Sequence, residues 1–386
     1  MKVIWAIMFY VLQPLLWLGI LMTYMNYKKR IKNERKWFTS SIYIDFFEGR
    51  HFLRSALILG LIGSLVGLAL GMVLPIKFIL VYELIMVILL LMRQSLSIVG
   101  VCLSVAALFF TKNLGFWGSI NNVLSDKGIN ERFFNFDNAN FLIFFTLLIF
   151  LTGIFIKQNA GKFTSPEITY NQRRKRIAYY QFNELSIVPI FTLVPGDWFV
   201  NHLAFWPVFD VNHHHYAFLF FPVLIGFKWT VKHAIPSKLF KSLSRGIIQT
   251  GLIGIVGIIG SYFYPIISIW AILIMLINYL RVIISNKHTD NKTDFDYSQV
   301  INGVRIIAIQ PHTPASKMNL LIGDVILEVN HIKINNEDDL YRALSTNSTY
   351  CYLKVIDRNN QLKVTETAIF KDSPSELGIE TFAEKD

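Results

Sequence analysis

The chain has 386 residues, of which 53% are hydrophobic, and its formal net charge at pH 7 is +11. So high an apolar content exceeds what a soluble globular protein normally shows. Residues 1–285 hold 26 basic and 11 acidic side chains, whereas the residues from 286 on hold 11 and 15. Because the positive charge belongs to the apolar part, we interpret it as contact with an anionic-headgroup lipid bilayer and expect no nucleic-acid partner.

Apolar runs that are long enough to cross a membrane recur through the first 285 residues. A spanning helix needs about 20 such residues, or fewer when it is bundled. The predicted fold is therefore a polytopic α-helical membrane domain of nine helices. Eight is the alternative count, because Arg93 alone separates two of the runs, and the run broken by Pro189 and Pro195 is the weakest. The nine runs are 3–24, 55–74, 78–92, 94–110, 141–156, 185–200, 216–231, 246–264 and 266–284.

The basic segments between these runs predict the orientation. Segments 25–54, 157–184 and 232–245 are rich in Lys and Arg, whereas 201–215 contains neither. Nine crossings with the N-terminus outside place all three basic segments in the cytoplasm, as the positive-inside rule requires. The sequence therefore predicts a multi-pass protein of the plasma membrane whose residues after 285 are cytoplasmic.

Two features inside the runs are candidates for packing or for function. Gly63, Gly67 and Gly71 have a spacing that lets helix backbones approach closely. We interpret them as membrane packing residues within one bundle, with a homo-oligomer interface as the alternative. Glu83 is an intramembrane ionisable residue, which is costly and often functional. It is either a proton or substrate site, or a protonated carboxyl hydrogen-bonded inside the bundle.

The sequence predicts no catalytic residue, no cofactor and no metal site. Cys102 and Cys351 have no CxxC neighbour. The adjacent histidines 213–215 point in different directions, so they rarely chelate one ion. The zinc-protease pattern His-Glu-x-x-His and the Gly-x-Ser-x-Gly setting of serine hydrolases are both missing from the sequence. We therefore expect that the protein is not an enzyme.

The C-terminal part reads as a small α+β domain. Polar residues 286–296 are predicted to be a linker, and 297–370 to be the domain. Short alternating strands there enclose two helical segments, the second of which is capped by Asn336. Residues 371–386 are predicted to be an acidic, flexible tail.

This domain resembles the circularly permuted PDZ domains of bacteria. The resemblance is carried by four short motifs: Thr313-Pro-Ala315, Met318-Asn-Leu320, Ile322-Gly-Asp-Val325 and Val329-Asn330. It implies that the domain binds an extended peptide, which adds to a sheet edge beside a helix.

The peptide groove is expected between the residues ahead of the first strand and the capped helix. No Gly-Leu-Gly-Phe-like stretch precedes Gly303, so we expect the groove to be short, partly closed or adapted to an internal segment. The candidate groove residues are Val300, Ile301, Gly303, Leu340 and Leu344.

Taken over its whole length, the chain resembles the MinJ-type topological determinants of bacterial cell division. Those proteins combine several spans and basic inner loops with a PDZ domain. The resemblance implies a non-enzymatic scaffold, enriched at the septum or poles, that bridges DivIVA-like proteins to Min or other division proteins. The alternative is a transporter, or a regulatory subunit of a membrane protease, with the PDZ domain as its gate.

Overall fold

The structure is a computed structural model that contains an apolar unit of helices around a long β-hairpin, followed by a small α+β domain. It describes residues 2–38, 41–92, 98–99, 102–103, 138–163, 165–170, 174–196, 199–200, 206–211, 214–292, 297–311, 313–347, 349–368 and 377–382.

The apolar unit alternates helices and strands in an order that the sequence did not predict. Its helices with described bounds are α1 (Lys2–Leu12), α2 (Pro14–Trp37), α3 (Phe47–Ala69), α4 (Ile76–Leu91), α5 (Asn138–Asn159), α6 (Pro236–Phe263) and α7 (Ile267–Lys292). Its strands are β1 (Pro166–Tyr170), β2 (Arg176–Pro195), β3 (Val208–Val211) and β4 (His214–Val231), in the sheet order β1-β2-β4-β3.

The prediction of spanning helices at 185–200 and 216–231 is wrong, because both segments are strands. β2 and β4 pair antiparallel from Tyr180 opposite Val231 to Pro195 opposite Tyr216. Both segments are rich in β-branched and aromatic residues, which favour strands, and each has a proline that would break a helix interior. An apolar run alone does not separate a buried strand from a buried helix.

Four helices of the described chain are long and apolar enough to cross a membrane, namely α3, α5, α6 and α7. The predicted run 3–24 is divided between α1 and α2, since the helix breaks at Gln13 ahead of Pro14. The run 78–92 corresponds to α4, and the run 94–110 lies almost entirely outside the described residues. The count of nine spanning helices is therefore not confirmed.

Helices that precede the hairpin cover the outer edge of β2. The Ser64 hydroxyl accepts a hydrogen bond from the Phe191 amide at 2.8 Å. The Tyr10 hydroxyl donates to the Ile187 carbonyl at 3.2 Å. In an apolar environment every backbone polar group needs such a partner, and strand edges are tolerated only where protein buries them.

The outer edge of β4 is covered in the same way. The buried Tyr82 hydroxyl accepts from the Leu224 amide at 3.0 Å. Pro189 and Pro222 face each other across the hairpin. Both prolines lie at positions where the backbone N–H of another residue would point outward to the helices, as that of Leu224 does. Proline has no N–H, so these two positions leave no outward donor and cost the ladder no hydrogen bond.

The three basic segments of the sequence meet at one end of this unit, which we call the basic end. His51 Nδ1 of the first segment lies 2.8 Å from Glu184 Oε2 of the second. A Cβ added at Gly161 of the second segment would lie 3.3 Å from the Phe240 side chain of the third. A hairpin that enters and returns leaves its flanking segments at the same end, as two helices would. The parity of the crossings and the orientation stay a prediction, because the run 94–110 lies almost entirely outside the described residues.

The small domain consists of short strands around one described α-helix. Its elements are β5 (Val304–Arg305), β6 (Ala308–Ile309), a 3₁₀ turn (Pro314–Lys317), β7 (Val325–Val329), β8 (Ile332–Lys333), α8 (Glu337–Ser345), β9 (Tyr350–Ile356), β10 (Leu362–Ala368) and β11 (Ile379–Glu380). One sheet has the order β10-β9-β7-β5, with β8 paired to β7, and the other pairs β11 with β6.

Two predicted boundaries of this domain differ from the structure. The linker predicted at 286–296 is helical as far as Lys292, because α7 continues through it. The tail predicted as flexible contains β11, and its side chains at Leu377, Ile379 and Phe382 are buried. The domain therefore includes residues 377–382, which close it against β6.

The small domain is docked on the basic end. The Tyr180 hydroxyl of β2 donates to the Ile307 carbonyl at 2.7 Å. The Tyr297 hydroxyl donates to Ala234 O at 2.8 Å, and Arg358 Nη2 donates to His233 O at 2.6 Å. Since Tyr180 and Tyr297 are both buried, the two units share a continuous core.

Candidate peptide-binding site

The edge of β11 that points away from β6 has the geometry of a peptide-binding strand. β11 pairs antiparallel with β6, with Ile379 opposite Ile309. The Gln310 amide donates to Gly378 O at 2.8 Å, so Gly378 and Gln310 are the hydrogen-bonded pair. Backbone groups alternate in direction along an antiparallel strand. The N–H and C=O of Ile379 therefore point to the opposite edge, where an added strand would pair.

The turn that leads into β11 is fixed by the Thr313-Pro-Ala315 motif. Gly378 has a φ of +83°, and a Cβ added there would lie 2.3 to 2.5 Å from the side chain of Thr313. The Ala315 amide donates to Leu377 O at 3.0 Å. A residue with a side chain fits neither this backbone conformation nor this space. The motif thus holds the Leu-Gly-Ile segment in place.

Helix α8 is packed into the same core as β11. The Asn336 side chain accepts from the Asp339 amide at 2.8 Å, so the predicted cap is present. Leu340 is buried in one apolar cluster with Leu377 and Ile379, and Leu344 is half-buried at its margin. In domains that take an extended peptide, a helix and a strand edge form the two sides of the groove.

The Val329-Asn330 motif ties α8 to the larger sheet. Asn330 Oδ1 accepts from the Tyr352 amide at 3.0 Å, and Asn330 Nδ2 donates to Ala343 O at 3.2 Å. The Ile322-Gly-Asp-Val325 motif forms a turn in which Asp324 Oδ2 accepts from the Leu321 amide at 3.0 Å. Burial raises the pKa of the Asp324 carboxyl above its ordinary value.

The residues predicted ahead of the first strand do not form the groove strand. Val300, Ile301 and Gly303 lie in the irregular segment before β5, and the Ile301 side chain is 85% exposed. The preceding segment instead joins the hairpin, since the Ala178 amide donates to Tyr297 O at 2.8 Å. The strand that pairs with β6 is β11, not the segment 300–303.

Sequence reasoning missed Leu377, Gly378 and Ile379 because it searched for a Gly-Leu-Gly-Phe-like stretch before Gly303. The sequence does contain such a signal, because Glu376-Leu-Gly-Ile379 has the same order of Leu, Gly and a large apolar residue as that stretch. It follows the last long strand instead of preceding the first one. The order of elements therefore differs from the predicted one, because the Leu-Gly-Ile segment comes after the last long strand.

The candidate residues inside the apolar unit have different surroundings. Gly63 packs between β2 and α5, where an added Cβ would lie 3.2 Å from both Ile190 and Leu151 side chains. Gly67 faces Met72, and Gly71 lies after the end of α3 with a φ of +66°. Glu83 is half-buried in α4, and no described residue donates a hydrogen bond to its carboxylate. Its functional role stays a prediction.

The chain is similar in sequence to one known domain family and to several named proteins. Residues 283–367 match the family model of the PDZ domain. Over 95% of its length the chain is 28% identical to the cell division topological determinant MinJ of Bacillus subtilis, of which it covers 92%. It is 43% identical over 83 residues to probable MinJ proteins of Lacticaseibacillus paracasei and Lacticaseibacillus casei, covering 22% of this chain and 23% of each relative. The predicted resemblance to MinJ-type proteins with a PDZ domain is confirmed.

Proposed function

We propose that this chain is a non-enzymatic membrane scaffold that recruits division proteins through its PDZ domain on the cytoplasmic side of the plasma membrane. Its partners would be DivIVA-like and Min-like proteins, or other proteins of the septum and poles. The observation that carries the proposal is the edge of β11, which shares an apolar core with α8 within a PDZ domain that is docked on the basic end of the apolar unit.

Three kinds of evidence support this proposal. Four helices have the length and apolarity that a membrane requires. The basic segments gather at the end where the PDZ domain sits, and basic segments favour the cytoplasmic side. A relative named as a cell division topological determinant is similar over nearly the whole chain.

A pair of variants at one position tests the groove. Ile379→Pro removes the N–H at the edge where a peptide would pair, whereas Ile379→Ala removes the side chain and keeps that N–H. Each full-length variant, fused to a fluorescent protein, replaces the natural copy in its bacterium. We expect septal and polar fluorescence to be lost with Ile379→Pro and largely kept with Ile379→Ala, at equal amounts in the membrane fraction.

Two results would contradict the proposal. Uniform membrane fluorescence of the unchanged protein would remove the division role. Normal septal enrichment of Ile379→Pro, together with normal two-hybrid signals toward the DivIVA-like and Min-like proteins of the same cell, would show that recruitment does not use this edge. Limited proteolysis of both variants verifies that the domain stays folded.

A further inference from the structure

Helix α2 separates its charges onto two faces at the basic end. Arg30 points inward, with a side chain that is 11% exposed, and Glu34 on the next turn is fully buried. Lys28, Lys32 and Arg35 lie on the exposed side of the same helix. The continuous basic run of the sequence therefore divides into side chains that face the protein interior and side chains that are exposed.

The inward face is a satisfied ion-pair network. Arg30 binds Glu48 through Nε at 2.6 Å and Glu34 through Nη1 at 3.0 Å. The remaining Glu34 oxygen accepts from Ser41 Oγ at 2.8 Å. Buried charges need such partners, so this network ties α2 to α3. It also withdraws the acidic side chain of α2 from the outer face.

The outer face is basic and continues into an apolar stripe. Lys28, Lys32 and Arg35 share a shallow groove with Tyr24 and Ile31. Towards the N-terminus of α2 the same stripe continues with side chains spaced three or four residues apart, which are half or more exposed at Trp17 (58%) and Leu21 (50%) and 44% exposed at Tyr24. This order of apolar residues, a tyrosine and then cations is what a helix presents where it leaves a bilayer.

We propose that Lys28, Lys32 and Arg35, with Tyr24 at their boundary, bind the headgroups of anionic phospholipids in the cytoplasmic leaflet. The proposal rests on the membrane placement proposed above. Charge complementarity identifies the occupant, because the face carries cations while Glu34 is turned away. The apolar stripe directly below accommodates acyl chains, which distinguishes a lipid from a nucleic acid or a free anion. Each cation near an anionic surface favours binding about fivefold, so three give roughly a hundredfold.

The test compares two triple variants of the full-length protein in a neutral detergent. The first carries Lys28→Gln, Lys32→Gln and Arg35→Gln. The matched control carries Lys238→Gln, Lys241→Gln and Arg245→Gln, which remove the same charge from exposed positions of α6. Each protein is incubated with equal amounts of phosphatidylglycerol and phosphatidylcholine and purified, and the retained lipids are quantified by mass spectrometry.

We expect the unchanged protein and the α6 control to retain phosphatidylglycerol preferentially. The α2 variant should lose at least tenfold of that preference at an unchanged melting temperature. Equal loss in both variants would overturn the proposal in favour of diffuse charge. Displacement of the lipid by inorganic phosphate, or by a short DNA duplex at the same concentration, would overturn it in favour of another ligand. A protein that never enters the membrane fraction contradicts the membrane placement itself.

Discussion

Replacing Gly378 by Ala should detach β11, the proposed groove strand, while the rest of the chain stays folded. The left-handed backbone at this position, with a φ of +83°, costs a residue with a Cβ about 1–2 kcal/mol. The new Cβ would also overlap Thr313, which is 3% exposed and whose hydroxyl donates to Gln310 O at 2.7 Å. Overpacking of a buried site adds about 1–3 kcal/mol. The sum is about 2–5 kcal/mol.

This cost would appear as local opening, because β11 is short and pairs with β6 over two residues. A loss of 2 kcal/mol corresponds to about a 30-fold increase in opening, since each 1.4 kcal/mol is tenfold. We therefore expect amide exchange across 377–382 to accelerate at least 30-fold in Gly378→Ala, measured by hydrogen–deuterium exchange mass spectrometry on the full-length protein.

Gly71→Ala is the matched control for backbone strain alone. Gly71 also has a positive φ, of +66°, and no atom lies within 4 Å of a Cβ added there. Its substitution should cost only the backbone strain of about 1–2 kcal/mol. Amide exchange across 377–382 should stay unchanged. Exchange rates in Gly378→Ala equal to those of the unchanged protein would refute the packing of Gly378 against Thr313 and, with it, the placement of the groove strand.

Three further substitutions test buried polar groups of both units, each in the full-length protein. Tyr82→Phe leaves the Leu224 amide without its acceptor and should lower the free energy of unfolding by about 1–3 kcal/mol, measured by denaturant titration in micelles. Asp290→Ala should cost about 3 kcal/mol or more in the same titration, because its buried carboxylate accepts from the amides of residues 232, 233 and 234; a cost below 1 kcal/mol would contradict that network. Asp324→Asn tests the raised pKa of Asp324: the folded form binds the proton more readily, so the unchanged PDZ domain should lose stability relative to Asp324→Asn as pH rises from 4 to 7. A stability difference that does not vary with pH would contradict the burial of this carboxyl.

The PDZ domain was predictable because its motifs are local. The capping role of Asn336 depends on a residue three positions away, and the turn before Val325 depends on its own glycine and aspartate. Such contacts can be read from spacing. The groove strand depends instead on Gly378 meeting Thr313, which is distant along the chain, so the short Leu-Gly-Ile segment carried little signal by itself.

The hairpin was misread for a related reason. The runs that became β2 and β4 have the length and apolarity of spanning helices, and only their strand-favouring residues and prolines argue otherwise. Tertiary contacts decide that these segments form strands and not helices. Tyr82, from a helix far earlier in the chain, accepts from the Leu224 amide and makes an open strand edge tolerable in an apolar environment. Tyr82 cannot be predicted as a partner from the sequence of residues 216–231 alone.

The arrangement of groups along the hairpin edges has a consequence for how the chain is assembled. Tyr10, Gln13, Ser64 and Tyr82 all precede Arg176, where the hairpin begins. As the chain is synthesised from its N-terminus, these partners of the strand edges are therefore made before the two strands emerge. A truncation that removes α1 and α2 would therefore release strands with bare edges, and these edges are templates for pairing with other chains. The order of elements along the chain thus favours early capping of both hairpin edges during biogenesis.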